Sequence, residues 1–180
     1  MGLRTIMAGA ALAGALCAAG GAWAEPGGAA PARPARIFDH LTGCWSVEGT
    51  VRGRPVTNFA KGRWILDGAY FLLQLKTPPG ARPYNAAIFF GRQANGAVLV
   101  HWLDALGAEF SQYPGRGTET PTRVVTDFAY PDGPTRNEIT LLPGGRWRML
   151  VTETPAGKPT RVFSDYAFQP AACGAADFQL

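Results

Sequence analysis

The sequence predicts an all-β fold: an antiparallel up-and-down β-barrel of nine or ten strands, entered through one short helical turn. Three observations predict it. Apolar and polar residues alternate with a period of two from Cys44 onward, which puts successive side chains on opposite faces of a strand. Gly-, Pro- and Asn-rich turn signals recur at short intervals, and short connections force antiparallel neighbours. No helical period follows Leu41. An antiparallel sheet of this length either closes into a barrel or splits into a sandwich.

The chain has 180 residues, and its first 24 read as a signal peptide. Arg4 supplies the basic flank, Ile6 to Gly21 an apolar core, and Ala22-Trp23-Ala24 a small-x-small cleavage site. Residues 25–36, rich in Pro, Gly and Ala, read as a flexible leader. Residues 37–180 then form one domain, long enough for a real core. No later stretch is apolar and long enough to cross a bilayer as a helix, so the expected location is periplasmic or secreted.

Ile37-Phe38-Asp39-His40-Leu41 spaces its apolar residues as one helical turn. The first strand starts at Cys44, with Trp45, Val47, Gly49 and Val51 on one face. A turn is expected at Gly53 to Pro55 and a second strand from Thr57 to Leu66. Asp67-Gly68 signals a tight hairpin into Ala69 to Lys76. Three prolines then break the chain between Pro78 and Pro83. Asn85 to Gly91 and Ala97 to Asp104 flank the hairpin signal Asn95-Gly96. Glu109 to Tyr113 reads as a short strand and Pro114 to Pro121 as loop. Arg123 to Tyr130, Arg136 to Leu142, Arg146 to Thr154 and Arg161 to Phe168 complete the set.

Composition excludes some functions. There are 17 basic and 13 acidic side chains, with a formal net charge of +4. The arginines are scattered from Arg33 to Arg161 and build no basic stripe, so nucleic acid is not an expected partner. Cys17 leaves with the signal, and Cys44 and Cys173 remain. An even pair in an exported protein implies a disulfide, the alternative being two buried thiols. His40, His101 and the two cysteines lack the short paired spacings of zinc sites, so no metal is expected. There is no Gly-x-Ser-x-Gly and no phosphate-binding Gly loop, and no residue is assigned as catalytic.

These motifs resemble the calycin group, the lipocalins and their relatives, in which Gly43-x-Trp45 after a short helical turn is the shared opening. A narrower resemblance is to a bacterial family of lipocalin-like domains of uncharacterised function. It rests on Arg63-Trp64-Ile65-Leu66-Asp67-Gly68, Trp102-Leu103-Asp104 and the closing Tyr166-Ala167-Phe168. The resemblance implies that Trp45 plugs the barrel floor, and Arg161 from the last strand is the candidate to stack on it. The related nitrobindins hold haem through a His on a late strand. This chain has no His after His101, so no cofactor is expected.

The expected ligand is a small, mainly apolar molecule in the barrel interior, met by Trp64, Trp102, Asp104, Tyr113 and Arg148. Trp102 and Asp104 share one face of their strand with Val98 and Val100, opposite Leu99, His101 and Leu103, and only one set can point inward. An inward Asp104 needs a partner, for which Arg63 and Arg148 are candidates. Alternatively, Asp104 caps a turn. The sequence is compatible with two other functions. One is an enzyme using Asp104 or His101 as acid or base on a hydrophobic substrate. The other is a filled barrel whose surface binds a partner in the cell envelope.

Overall fold

Alternation along each strand becomes ten strands in a computed structural model that describes residues 36–81 and 83–175. They are β1 (Gly43–Val51), β2 (Arg54–Ile65), β3 (Tyr70–Lys76), β4 (Asn85–Arg92), β5 (Val98–Asp104), β6 (Gly115–Glu119), β7 (Arg123–Tyr130), β8 (Gly133–Leu141), β9 (Trp147–Glu153) and β10 (Arg161–Pro170). Each pairs antiparallel with its neighbours in the sequence, and β10 returns to β1, so the sheet closes as an up-and-down barrel. A 3₁₀ turn, η1 (Ile37–Leu41), precedes it. The expected signal peptide and residues 25–35 lie outside the described residues.

The register carries one inward face around the ring. Trp45 lies opposite Ala60, Ala60 opposite Leu75, Leu75 opposite Ala86 and Ala86 opposite Asp104. On the far side Ile139 lies opposite Met149, and Met149 opposite Tyr166. Trp45, Val47, Phe71, Leu73, Ile88, Phe90, Val100, Ile139, Trp147, Met149 and Phe168 are buried together in one cluster. The outward face of β7 to β10 carries ion pairs instead. Arg136 grips Asp127 at 2.7 and 3.0 Å, Arg148 grips Asp165 at 2.7 Å through two nitrogens, and Arg123 pairs with Glu138. The outward face of β3 to β5 differs, carrying Leu72, Phe89, Leu99 and Leu103. Among the described residues no helix is long and apolar enough to cross a membrane.

Two strand expectations need correction. Glu109 to Tyr113 is a run of turns, and the strand lies just after it, at β6. Two inward positions of β6 are Gly115 and Gly117, so the alternation that marks a strand is absent from its sequence. The first hairpin turns at Arg52-Gly53, with φ of 48° and 74°, and Pro55 already sits in β2 opposite Thr50.

The expected disulfide is present. Cys44 and Cys173 are bonded, with Cα atoms 5.1 Å apart across a sequence separation of 129. It ties the chain after β10 to the outer face of β1, where the Ala171 N–H also donates to the Cys44 carbonyl.

Candidate functional site

The two ends of the barrel are built differently. At one end η1 acts as a plug. Phe38 enters the barrel and stacks on Phe71 at 4.9 Å between ring centroids, with Phe90 at 4.6 Å. Three indoles fasten it: Trp45 Nε1 donates to the Leu41 carbonyl (3.0 Å), Trp64 Nε1 to Asp39 Oδ1 (2.7 Å) and Trp147 Nε1 to the His40 carbonyl (3.2 Å). Arg36 lies over the Trp64 ring at 4.8 Å and donates to the Gly68 carbonyl. Gly62 lets the plug come this close, because a Cβ there would stand 2.2 Å from the Leu41 oxygen. A cleft beside the plug, lined by Arg36, Phe38, Trp64, Phe90, Arg92 and Glu119, has a volume of about 10 Å³, room for about one water.

At the opposite end the wall is incomplete. β5 pairs with β6 only through Val98, Leu99 and Val100. β7 pairs with β6 only from Val124 to Asp127. His101 to Asp104 of β5 and Phe128 to Tyr130 of β7 therefore have no ladder on that side, although β4 and β8 pair with their other edges. Aromatic rings span this seam. Trp102 meets Phe128 edge to face at 6.5 Å, Phe128 stacks on Tyr130 at 5.5 Å, and Phe110 and Tyr113 pack edge-on against Tyr130 at 5.4 and 6.0 Å. Phe128 fills the space Gly115 leaves; a Cβ on Gly115 would stand 2.5 Å from its ring.

Asp104 and Tyr84 close the mouth above the seam. Tyr84 sits at the end of the Pro-rich β3–β4 connection, held by Thr77, whose Oγ1 accepts the Tyr84 N–H at 2.9 Å. Its hydroxyl donates to Asp104 Oδ2 and accepts from Trp102 Nε1, both at 3.3 Å. Asp104 Oδ1 accepts the Leu106 N–H at 2.9 Å, an Asx turn starting the β5–β6 loop. Burial, reinforced by the Asp104 charge, raises the Tyr84 phenol far above its ordinary pKa. The same causes, with Asp132 added, push Tyr130 up to about 12.

The residues singled out from sequence thus divide. Trp102, Asp104 and Tyr113 meet at the seam end, and Trp102 and Asp104 lie on the inward face of β5. Trp64 belongs to the plug at the opposite end, because β2 runs antiparallel to β1 and finishes beside its start. Arg148 points outward to Asp165, whose carboxyl it holds below the ordinary range. Tyr84, rather than Arg63 or Arg148, is the partner of Asp104. Trp45 sits at the plugged floor, but Arg161 does not stack on it. Arg161 opens β10 at the seam end and binds Glu153 at 2.7 Å. His101 faces away from Asp104 on the other side of β5. Among the described residues, no group of three or more His, Cys, Asp or Glu could hold a metal ion.

Sequence reasoning missed Tyr84, Phe128 and Tyr130, and two inward amides, Asn58 and Asn137, that are 2% and 1% exposed. The strand period places both amides inward, so that signal was available.

A scan against family models finds no match, and a search of curated proteins finds none. The geometry defines the class alone: a closed ten-strand antiparallel barrel consistent with the broad calycin type. The narrower bacterial lipocalin-like family has no support from these comparisons.

Proposed function

We propose that this is an exported calycin-type protein that binds a small molecule inside the barrel and admits it through the seam between β5 and β7. The observation that carries the reading is the unpaired stretch of wall at His101–Asp104 and Phe128–Tyr130, closed by side chains where the rest of the barrel is closed by hydrogen bonds. Side-chain packing opens by rotamer changes, whereas breaking a ladder costs several backbone bonds at once. The covering residues Phe110, Tyr113 and Tyr84 are on connections, where binding residues concentrate. Export is supported by the signal-like segment 1–24 and by the Cys44–Cys173 bond, which suits an oxidising compartment.

Native mass spectrometry of protein isolated from the envelope fraction of its source cells tests the reading. The expected result is a co-purifying small molecule, released when the protein unfolds. A ligand-free mass, with no binding from a broad small-molecule panel, contradicts it. In that case the filled-barrel reading stands instead, a module that binds a partner by its surface. The packing of Phe128 into the Gly115 space and the one-water cleft beside the plug favour that second reading.

A further inference from the structure

The barrel interior is less apolar than its aromatic ends. Between them lie five buried polar side chains: Asn58, Thr126, Asn137, Ser164 and Tyr166. The register places all five on the inward face, with Asn137 opposite both Thr126 and Val151, Val151 opposite Ser164, and Asn58 opposite Val47. Ser164 and Tyr166 lie two residues apart on the inward face of β10. Asn58 Oδ1 and both Asn137 Oδ1 and Nδ2 are buried without a hydrogen-bond partner. Leaving such groups unpaired is costly, and they are normally satisfied by protein, water or ligand. For Asn137 an amide flip changes nothing, because both of its terminal atoms are orphaned.

We infer that Asn137 and Asn58 form a polar band in the wall of the binding site, and that its ligand is a neutral molecule carrying a hydrogen-bond donor and acceptor side by side. A carboxamide presents one acceptor oxygen and one donor nitrogen in a plane. Its complement is a cis-amide edge, as in a lactam, a cyclic imide or a pyrimidine-type ring. Asn58 adds a second acceptor. Among the described residues no charged side chain shares this band: the inward carboxylates Asp104, Glu119 and Glu153 sit at the strand ends, where Tyr84, Arg92 and Arg161 respectively engage them. A charged ligand would therefore be buried without a counter-charge, which is strongly disfavoured. This assignment rests on the proposed binding function and changes its chemistry, since composition alone pointed to an apolar ligand.

The probes are 2-pyrrolidinone, a cis-lactam, and cyclopentane, an apolar ring of similar size. Binding is read by the side-chain amide ¹⁵N–¹H resonances of Asn58 and Asn137 and by thermal shift. The lactam is expected to move both amide resonances and to stabilise the protein. Asn137→Leu, close in shape, is expected to weaken lactam binding by about tenfold or more and to leave cyclopentane binding unchanged. Should Asn137→Leu not fold, the resonance shifts in the unmodified protein and Asn58→Leu carry the test. Cyclopentane binding as well as the lactam, or lactam binding indifferent to both substitutions, overturns the polar band and leaves the binding function standing. A crystal structure with water on Asn137 that saturating lactam does not displace also overturns it. If neither probe binds and the isolated protein carries no ligand, the binding function itself falls.

Discussion

The plugged end and the seam end bury similar aromatic bulk, yet they are secured by different means. At the plug, indole N–H groups of three separate strands converge on one 3₁₀ turn, two of them on main-chain carbonyls. The contacts cross-link β1, β2 and β9 through η1. At the seam, rings lie against rings, and the hydrogen bonds through Tyr84 are long at 3.3 Å. The surrounding loop leaves Leu106 72% exposed and Phe110 41% exposed. Closure by directional bonds to backbone fixes a geometry, whereas closure by stacked rings permits alternatives at low cost. One barrel thus has a fixed floor and a door.

The comparison can be broken most forcefully at Trp147, which is fully buried and donates to η1. Trp147→Ala is expected to cost about 3–5 kcal/mol, measured by urea denaturation. A loss no larger than that of a seam substitution would remove the distinction between the ends. Next is the disulfide, which anchors the start of β1 beside the plug. Its removal by Cys44→Ser with Cys173→Ser is expected to cost about 2–4 kcal/mol, read as a lower denaturation midpoint. Trp45→Phe keeps an aromatic ring, smaller than the indole, and removes the donor to the Leu41 carbonyl, at an expected cost of about 1–3 kcal/mol. Phe110→Ala at the seam is expected to cost no more than about 1 kcal/mol because the ring is already partly exposed. It should speed ligand association in stopped-flow measurements.

The smallest expected effect is read by alkaline titration. Tyr84 and Tyr130 have folded pKa values above those of free phenols. Their contribution to stability is therefore complete below about pH 10, the unfolded value, and is lost as pH rises from there through about 12 for Tyr130. Phenolate absorbance should show these two, and the buried Tyr166, ionising late, together with loss of the seam packing. Ionisation of all tyrosines near pH 10 in the folded protein would place Tyr84 and Tyr130 in water.

The barrel was legible in the sequence because most of its strands bury one face, and burying one face writes a period of two. β6 was not legible, since Gly115 and Gly117 occupy inward positions with no side chain, and Phe128 of the next strand supplies the missing bulk. The two ends were only partly legible. Trp45 declared the floor through its Gly-x-Trp setting. Trp64, grouped with Trp102 and Tyr113, and Arg161, set against Trp45, lie at the opposite end from those partners, although antiparallel register already separates them: the end of β2 lies beside the start of β1, and the start of β10 beside the end of β9. Tyr84 was hidden because a Pro-rich break reads as solvent-exposed loop. Asn58 and Asn137 were overlooked because a polar residue in a strand reads as facing water, although the period of two already sets them on the faces of Ala60 and Ile139.

Indole N–H exchange, followed residue by residue by NMR, tests the difference between floor and door most directly. The Trp45 and Trp147 indole protons should exchange only through global unfolding, and the Trp102 proton at the seam many times faster through local opening. Equal rates for Trp102 and Trp147 would contradict the account, leaving a barrel sealed alike at both ends.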